Sequence, residues 1–184
     1  KGRTFEVAIQ LGAILALAAV YARLVIGLAL RALHEDAARR AIVSVLLAFL
    51  PAVVVGVLAR DFIKTVLFET PRLIALMLIL GGVVLLVIDR IAPTPRHADA
   101  LALPFGKSLA IGLCQCLAMV PGVSRSGATI VGAMLFGVEK RAAAEFSFLL
   151  SLPTMGAAVA YDLYKSRELL DLGALFVQQE ARHV

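Results

Sequence analysis

Long runs of apolar residues alternate along the chain with short polar segments. The runs cover Phe5–Tyr21, Ala41–Ala59, Leu73–Ile88 and Phe146–Tyr161. Each is close to the roughly 20 residues that an α-helix needs to cross a hydrocarbon layer about 30 Å thick. They predict a polytopic helical bundle of about five or six spans, in which Pro51 kinks the second run and Pro153 breaks the last. We expect residues 1–184 to belong to a single transmembrane domain.

The segments between the runs predict connections. Residues 60–72, RDFIKTVLFETPR, are amphipathic, which favours a helix or turn at the membrane surface. Residues 89–100, DRIAPTPRHADA, contain two prolines and predict an exposed turn. Residues 165–184 are mixed in character, and the C-terminal helices of the domain are expected to be missing from this sequence.

The apolar stretch Leu101–Val138 is too long for one span and contains Pro121-Gly122 near its middle. This pair interrupts a helix. Irregular backbone survives at membrane depth only where protein or a water-filled cavity satisfies its polar groups. We therefore predict two half-helices that meet in a re-entrant helix-turn-helix at Pro121-Gly122.

Composition supports the membrane interpretation. The chain has 184 residues, of which 61% are hydrophobic and 17% charged, with a net charge of +5. Soluble domains average about 45–50% apolar and about 25% charged residues. The basic residues lie between the apolar runs, which is typical of loops that face lipid headgroups and does not indicate nucleic-acid binding. Cys114 and Cys116 lack metal-site spacing and are interpreted as packing residues.

The segment PGVSRSGATI, residues 121–130, places polar side chains inside this apolar stretch. A helix that begins after Pro121-Gly122 exposes backbone N–H groups and the positive end of its dipole, which together favour an anion. The guanidinium of Arg125 can bind two phosphate or carboxylate oxygens. Hydroxyl donors and glycines that allow close approach complete the candidate site: Ser124, Ser126, Thr129, Gly122 and Gly127.

Structural interpretations of these residues stay open. Arg125 could extend to the interface, and small residues could serve helix packing alone. Gln10 and Gln115 could form hydrogen bonds between helices or belong to the site.

A weak internal similarity predicts two related halves. FEVAIQLGA, from Phe5, and FSFLLSLPT, from Phe146, share apolar residues at alternate positions and a polar residue at the sixth. If the chain has two related halves, a second polar turn is expected before Phe5. With no initial methionine, the sequence is expected to be part of a longer protein.

The motif and its neighbours resemble the bacterial undecaprenyl-diphosphate phosphatase family, which is linked to bacitracin resistance. The resemblance rests on FEVAIQLGAILA, GLCQCLAMVPGVSRSGATIVGAMLFGV, EFSFLLSLP and YDLYKS, in that order. It implies an integral protein of the bacterial cytoplasmic membrane that hydrolyses undecaprenyl diphosphate to undecaprenyl phosphate and inorganic phosphate, recycling a lipid carrier for cell-wall synthesis.

The resemblance also implies an inverted-repeat architecture with two re-entrant segments, and it implies roles for residues. Arg125, Ser124 and Ser126 would be catalytic. The others, Thr129, Gly122, Gly127, Gln10 and Gln115, would bind substrate. Family members depend on a divalent cation, Mg²⁺ or Ca²⁺, but the paired glutamates and the Pro-x-Ser-Ser-Thr-Gly-His segment of their first hallmark region are absent here. The metal ligands are therefore unknown, and the 184-residue chain alone is expected to be inactive.

The competing hypothesis is a transporter or flippase for an anionic lipid or solute. Inverted repeats and broken helices around an anion site are also found in transporters. The sequence leaves open the orientation in the membrane and whether the protein forms a homo-oligomer.

Overall fold

A computed structural model describes residues 12, 16, 19, 21–59, 63 and 70–180, with side chains as far as Tyr161 except at residue 159. Residues 21–31 are helical. The elements with defined bounds that follow are α1 (Asp36–Leu58), α2 (Pro71–Ile91), a 3₁₀ turn (Ala100–Ala102), α3 (Phe105–Cys116), a 3₁₀ turn (Leu117–Met119), α4 (Arg125–Leu135) and α5 (Lys140–Glu180). Apart from one isolated bridge, the described residues form no strand, which confirms the all-helical prediction.

Two of the described helices, α1 and α2, are long and apolar enough to cross a membrane. They contain the predicted runs Ala41–Ala59, apart from its last residue, and Leu73–Ile88, and extend to Asp36 and Pro71 at their N-terminal ends. Pro71 occupies the first helical position, where its missing N–H costs nothing. The larger predicted number of spans stays a prediction, because residues 1–11 and much of 60–69 lie outside the described part of the chain.

The predicted break at Pro153 is wrong, because α5 runs through this residue from Lys140 to Glu180. Proline removes one N–H donor from the helix. Two hydroxyls supply hydrogen bonds in the same turn: Ser151 Oγ donates to the Phe148 carbonyl at 2.6 Å, and Thr154 Oγ1 donates to the Leu150 carbonyl at 2.7 Å. The mixed segment after residue 164 belongs to the same helix as far as Glu180.

The core lies where α1, α3, α4 and α5 meet. Ala48 of α1, Ile111 of α3, Ala133 of α4 and Phe146 of α5 are buried in one cluster. The α1 and α3 backbones approach closely at Gly112, where a Cβ atom would overlap the backbone of Ala48. Small residues therefore determine how near these helices lie, as expected for packing between membrane helices.

Helix α2 packs differently, since Ile88 is its buried residue and most of its large apolar side chains are exposed. A Cβ atom at Gly81 or Gly82 would meet nothing within 4 Å among the described residues, so this pair of small residues is not a close-packing position there. Gly132 is one, because a Cβ atom at that position would lie 2.7 Å from the Cys114 sulfur.

Residues 89–100 form a structured connection and not only an exposed turn. The first of them belong to α2. Further on, the Arg96 N–H donates to the Gly137 carbonyl at 2.7 Å, and the Glu139 N–H donates to the His97 carbonyl at 2.8 Å. Prolines indicated an irregular backbone correctly, but the pairing with residues 137–139 depends on tertiary contact.

We expect Gly112→Ala to destabilise the protein by about 1–3 kcal/mol, because the added methyl group overlaps the α1 backbone. Gly81→Ala is the matched control in a helix interior with open space, and it should be neutral or stabilising by roughly 0.5–1 kcal/mol. Thermal unfolding of both variants in detergent measures the difference. Equal melting temperatures would contradict the close α1–α3 contact.

Candidate functional site at the Pro121-Gly122 turn

Two short helices meet at the predicted interruption. Helix α3 has 12 residues and helix α4 has 11, which correspond to about 18 and 17 Å, whereas a span must cross about 30 Å. The second 3₁₀ turn (Leu117–Met119) and residues 120–124 join them. The predicted helix-turn-helix is confirmed; its re-entrant path through a membrane stays a prediction.

The conformation of the turn depends on Gly122. Its φ angle is +93°, in the left-handed region that favours glycine. A Cβ atom there would lie 2.5 Å from the Ile74 carbonyl oxygen and 3.1 Å from Met77 Cβ. Gly122 therefore allows the turn to pack directly on α2, and the structure assigns it a conformational role.

Ser124 begins α4 as its N-cap residue, and its side chain accepts a hydrogen bond from the Gly127 N–H at 3.1 Å. This contact satisfies one of the free N–H groups of the first turn. Ser126 Oγ lies 3.4 Å from Ser124 Oγ, and both serines are exposed. Their hydroxyls are thus on the accessible side of the turn, where they can donate to a bound anion.

Arg125 lies between these serines and is half-buried. Its Nη1 atom is buried and has no hydrogen-bond partner among the described residues. Guanidinium nitrogens are donors only, and leaving a buried donor unpaired is unfavourable. An anion bound at the N-terminus of α4 would supply the missing acceptor and also interact with the helix dipole.

Thr129 faces away from the exposed side of the turn. It is 1% exposed, and its Oγ1 lies 2.6 Å from Ser147 Oγ of α5 and 3.1 Å from the carbonyl oxygens of Arg125 and Ser126. The predicted direct contact between Thr129 and substrate therefore does not fit its position. Its hydroxyl connects α4 with α5.

Of the two candidate glutamines, Gln115 lies within the described residues and Gln10 does not. Gln115 is 3% exposed and its Nε2 donates to Thr154 Oγ1 of α5 at 3.2 Å. This geometry supports the alternative of a hydrogen bond between helices. Gln10 lies outside the described residues, and its role stays a prediction.

Sequence analysis did not identify Ser147, the partner of Thr129. The residue lies in the apolar run FSFLL. Its spacing from Ser151 and Thr154, four and seven residues along α5, places these hydroxyls on one helix face. That spacing was the signal available in the sequence.

The residues at the turn do not fit a divalent metal ion. Mg²⁺ and Ca²⁺ prefer carboxylate and carbonyl oxygens, whereas the described side chains here are a guanidinium and hydroxyls. Within the described residues, no group of three or more His, Cys, Asp and Glu side chains could hold a metal ion. The turn fits an anion, and the predicted dependence on Mg²⁺ or Ca²⁺ has no ligand set in this part of the chain.

A cavity of about 720 Å³ lies at the other end of α3. Its walls include Leu28, Arg31, Asp99 and Phe105. Phe105 begins α3 and the turn follows its last residue, so the cavity and the turn lie at opposite ends of this helix. The cavity is therefore separate from the candidate anion site.

Comparison with known proteins identifies relatives across most of the chain. Residues 1–181 match the family described as bacitracin resistance protein BacA. The chain is 65% identical over 174 residues to the undecaprenyl-diphosphatase of a Cereibacter sphaeroides strain, covering 95% of this chain and 65% of that protein. It is 62% identical over 173 residues to the undecaprenyl-diphosphatase of Paracoccus denitrificans, covering 94% of this chain and 65% of that protein. The chain thus spans slightly less than two thirds of the length of these relatives.

We expect Gly122→Ala to destabilise the turn, because it combines a left-handed φ angle with a clash against the Ile74 carbonyl. Gly137→Ala is the matched control: Gly137 also has a positive φ, +77°, but the nearest atom to an added Cβ lies at 3.8 Å. The conformational penalty alone is roughly 1–2 kcal/mol. Gly122→Ala should therefore lower the free energy of unfolding, measured by thermal unfolding, by more than that amount. A larger loss in Gly137→Ala would contradict the contact with α2.

Proposed function

Because the chain belongs to the bacitracin resistance protein BacA family, we propose that the protein hydrolyses undecaprenyl diphosphate to undecaprenyl phosphate and inorganic phosphate. The single observation that carries this proposal is the buried, unpartnered Arg125 Nη1 at the N-terminus of α4. This unpaired donor favours an anionic ligand, and a diphosphate has negative oxygens that can accept hydrogen bonds from the turn. The names of the relatives, undecaprenyl-diphosphatase, supply the substrate.

In the proposed net reaction, the bond between the terminal phosphorus and the bridging oxygen breaks, and the bridging oxygen leaves with undecaprenyl phosphate. The oxygen of one water molecule ends on the terminal phosphorus as inorganic phosphate, and the water's protons pass to the products and the solvent. Negative charge on the phosphate oxygens must be balanced as the bonds change. The Arg125 guanidinium would bind two of these oxygens, and the first-turn N–H groups of α4 would stabilise the charge.

Ser124 and Ser126 fit a supporting role in this reaction. Ser124 already accepts a hydrogen bond from Gly127 N–H, so its own hydroxyl hydrogen remains able to donate. Ser126 is exposed beside it. Both would donate to oxygens that Arg125 does not bind, which would orient the terminal phosphate.

We also propose that the activity depends on Mg²⁺ or Ca²⁺. A divalent ion bound to the diphosphate would polarise its phosphorus–oxygen bonds. The described residues at the turn do not provide its ligands, so no catalytic step is assigned through it here.

The same proposal includes a multi-pass location in the bacterial cytoplasmic membrane. The substrate carries a long apolar prenyl chain, and the apolar side chains exposed on α2, such as Leu78, Ile79 and Leu86, suit contact with hydrocarbon. The inverted repeat and the re-entrant path of the turn also belong to this proposal, and both are supported by the family resemblance.

We expect Arg125→Lys to lower phosphate release from undecaprenyl diphosphate by about 100–1,000-fold in the full-length protein. Lysine keeps the positive charge but lacks the planar guanidinium that can bind two phosphate oxygens at once. The control is Arg90→Lys, which changes an exposed arginine in the last turn of α2 and should retain wild-type activity. Equal activity of the two variants would make Arg125 a packing residue.

Removal of divalent cations from the wild-type protein by a chelator should abolish phosphate release, and added Mg²⁺ or Ca²⁺ should restore it. Activity that persists in the chelator would contradict the metal dependence alone. Movement of the lipid across a vesicle membrane without phosphate release would contradict hydrolysis and favour the transporter hypothesis.

A further inference from the structure

A pair of buried hydroxyls joins the candidate site to the long helix behind it. Thr129 Oγ1 and Ser147 Oγ lie 2.6 Å apart, and these residues are 1% and 5% exposed. A hydrogen bond this short and this well shielded holds two helices at a defined distance. Since Ser147 is buried behind α4, it does not itself reach the exposed side of the turn.

The Thr129 hydroxyl contacts both helices. Its oxygen lies 3.1 Å from the carbonyl oxygens of Arg125 and Ser126, which can only accept, and 2.6 Å from Ser147 Oγ, which can donate or accept. When Thr129 donates to a carbonyl, Ser147 donates to the Thr129 oxygen. In either direction, the hydroxyl pair joins α5 to α4 one turn after Arg125.

The position of Arg125 depends on this hydroxyl pair for a geometric reason. Arg125 and Thr129 are four residues apart, so they share one face of α4. A rotation of α4 that turned Arg125 away from its present direction would also pull Thr129 from Ser147. Within the 11 residues of α4, the Thr129–Ser147 contact lies near the end that carries Arg125, whereas the Lys107 contact lies at Phe136, beyond the opposite end.

A second contact connects the same face of α5 to the other half-helix. Gln115, near the end of α3, donates to Thr154, which lies seven residues after Ser147. This separation is two helical turns, about 10.5 Å along α5. Helix α5 therefore holds both half-helices that flank the turn, and Ser147 is its contact on the side that carries Arg125.

We propose that Ser147 is a positioning residue for Arg125, acting through Thr129 to hold the guanidinium in the direction that binds a diphosphate. The proposal rests on the proposed function only for the identity of the lipid substrate. It extends the site to a residue that touches neither the turn surface nor the anion.

The test compares Ser147→Ala with Ser44→Ala in the full-length protein. Ser44 is a matched control, because it is also buried and its hydroxyl donates between elements, to the Leu103 carbonyl at 3.2 Å, near the start of α3 and away from the turn. Both variants lose one buried hydrogen bond and should lose similar stability. We expect Ser147→Ala to lower kcat/KM on the order of tenfold, and Ser44→Ala to leave it within about twofold of wild type.

Two further measurements separate positioning from general packing. Ser147→Thr keeps the hydroxyl and should recover most of the lost activity. In an Arg125→Ala background, Ser147→Ala should cause no further loss, because the group it positions is gone. Equal effects of Ser147→Ala and Ser44→Ala, or a full additional loss in the Arg125→Ala background, would overturn the proposal.

Binding of inorganic diphosphate gives a readout that does not require hydrolysis. We expect it to raise the melting temperature of wild-type protein and of Ser44→Ala, and to raise that of Ser147→Ala much less. If the wild type binds diphosphate in this way but releases no phosphate from the lipid, the proposed function fails while the role of Ser147 stands. If the wild type hydrolyses the lipid and both serine variants respond equally to diphosphate, the role of Ser147 fails alone.

Discussion

The interruption of the helix at Pro121-Gly122 leaves polar groups in apolar surroundings, and the neighbouring helices supply what those groups need. Proline removes an N–H group, and a new helix start exposes several more. In hydrocarbon, each unsatisfied backbone group is costly. The Ser124 side chain caps one of them, α2 supports the turn at Gly122, and the remaining donors, with Arg125, form the proposed anion site.

Polar side chains in the core form hydrogen bonds that connect the helices. Ser44 connects α1 to the residues before α3, Gln115 connects α3 to α5, and Thr129 connects α4 to α5. Between helices in an apolar environment, the hydrophobic effect discriminates poorly among packing arrangements, so close contact and hydrogen bonds determine which arrangement is adopted. This explains why a chain with few charged residues contains serine and threonine at its helix interfaces.

Hydrogen bonds also hold the far end of α4. Lys107 Nζ donates to the Phe136 carbonyl at 2.5 Å, at the C-terminal end of α4, where a positive charge interacts favourably with the helix dipole. Residues 96 and 97 bind the Gly137 carbonyl just beyond it. Outside this contact, Lys140 of α5 forms an ion pair with Asp89 of α2 at 2.7 Å. A half-helix that is held at both ends can present a guanidinium in one direction.

The amino-acid sequence by itself determined the features that follow from local rules: the apolar runs of α1 and α2, the interruption at Pro121-Gly122, the cap at Ser124 and the arginine at the start of α4. These depend on the hydrophobicity of consecutive residues, on a missing N–H group and on allowed φ angles. Only the tertiary structure decided that α5 continues through Pro153 and that Thr129 contacts Ser147. It also decided that Gly112 and Gly132 are close-packing positions, whereas Gly81 and Gly82 have no close neighbour among the described residues. Each of these depends on which helix lies opposite, and that neighbour is distant in the sequence.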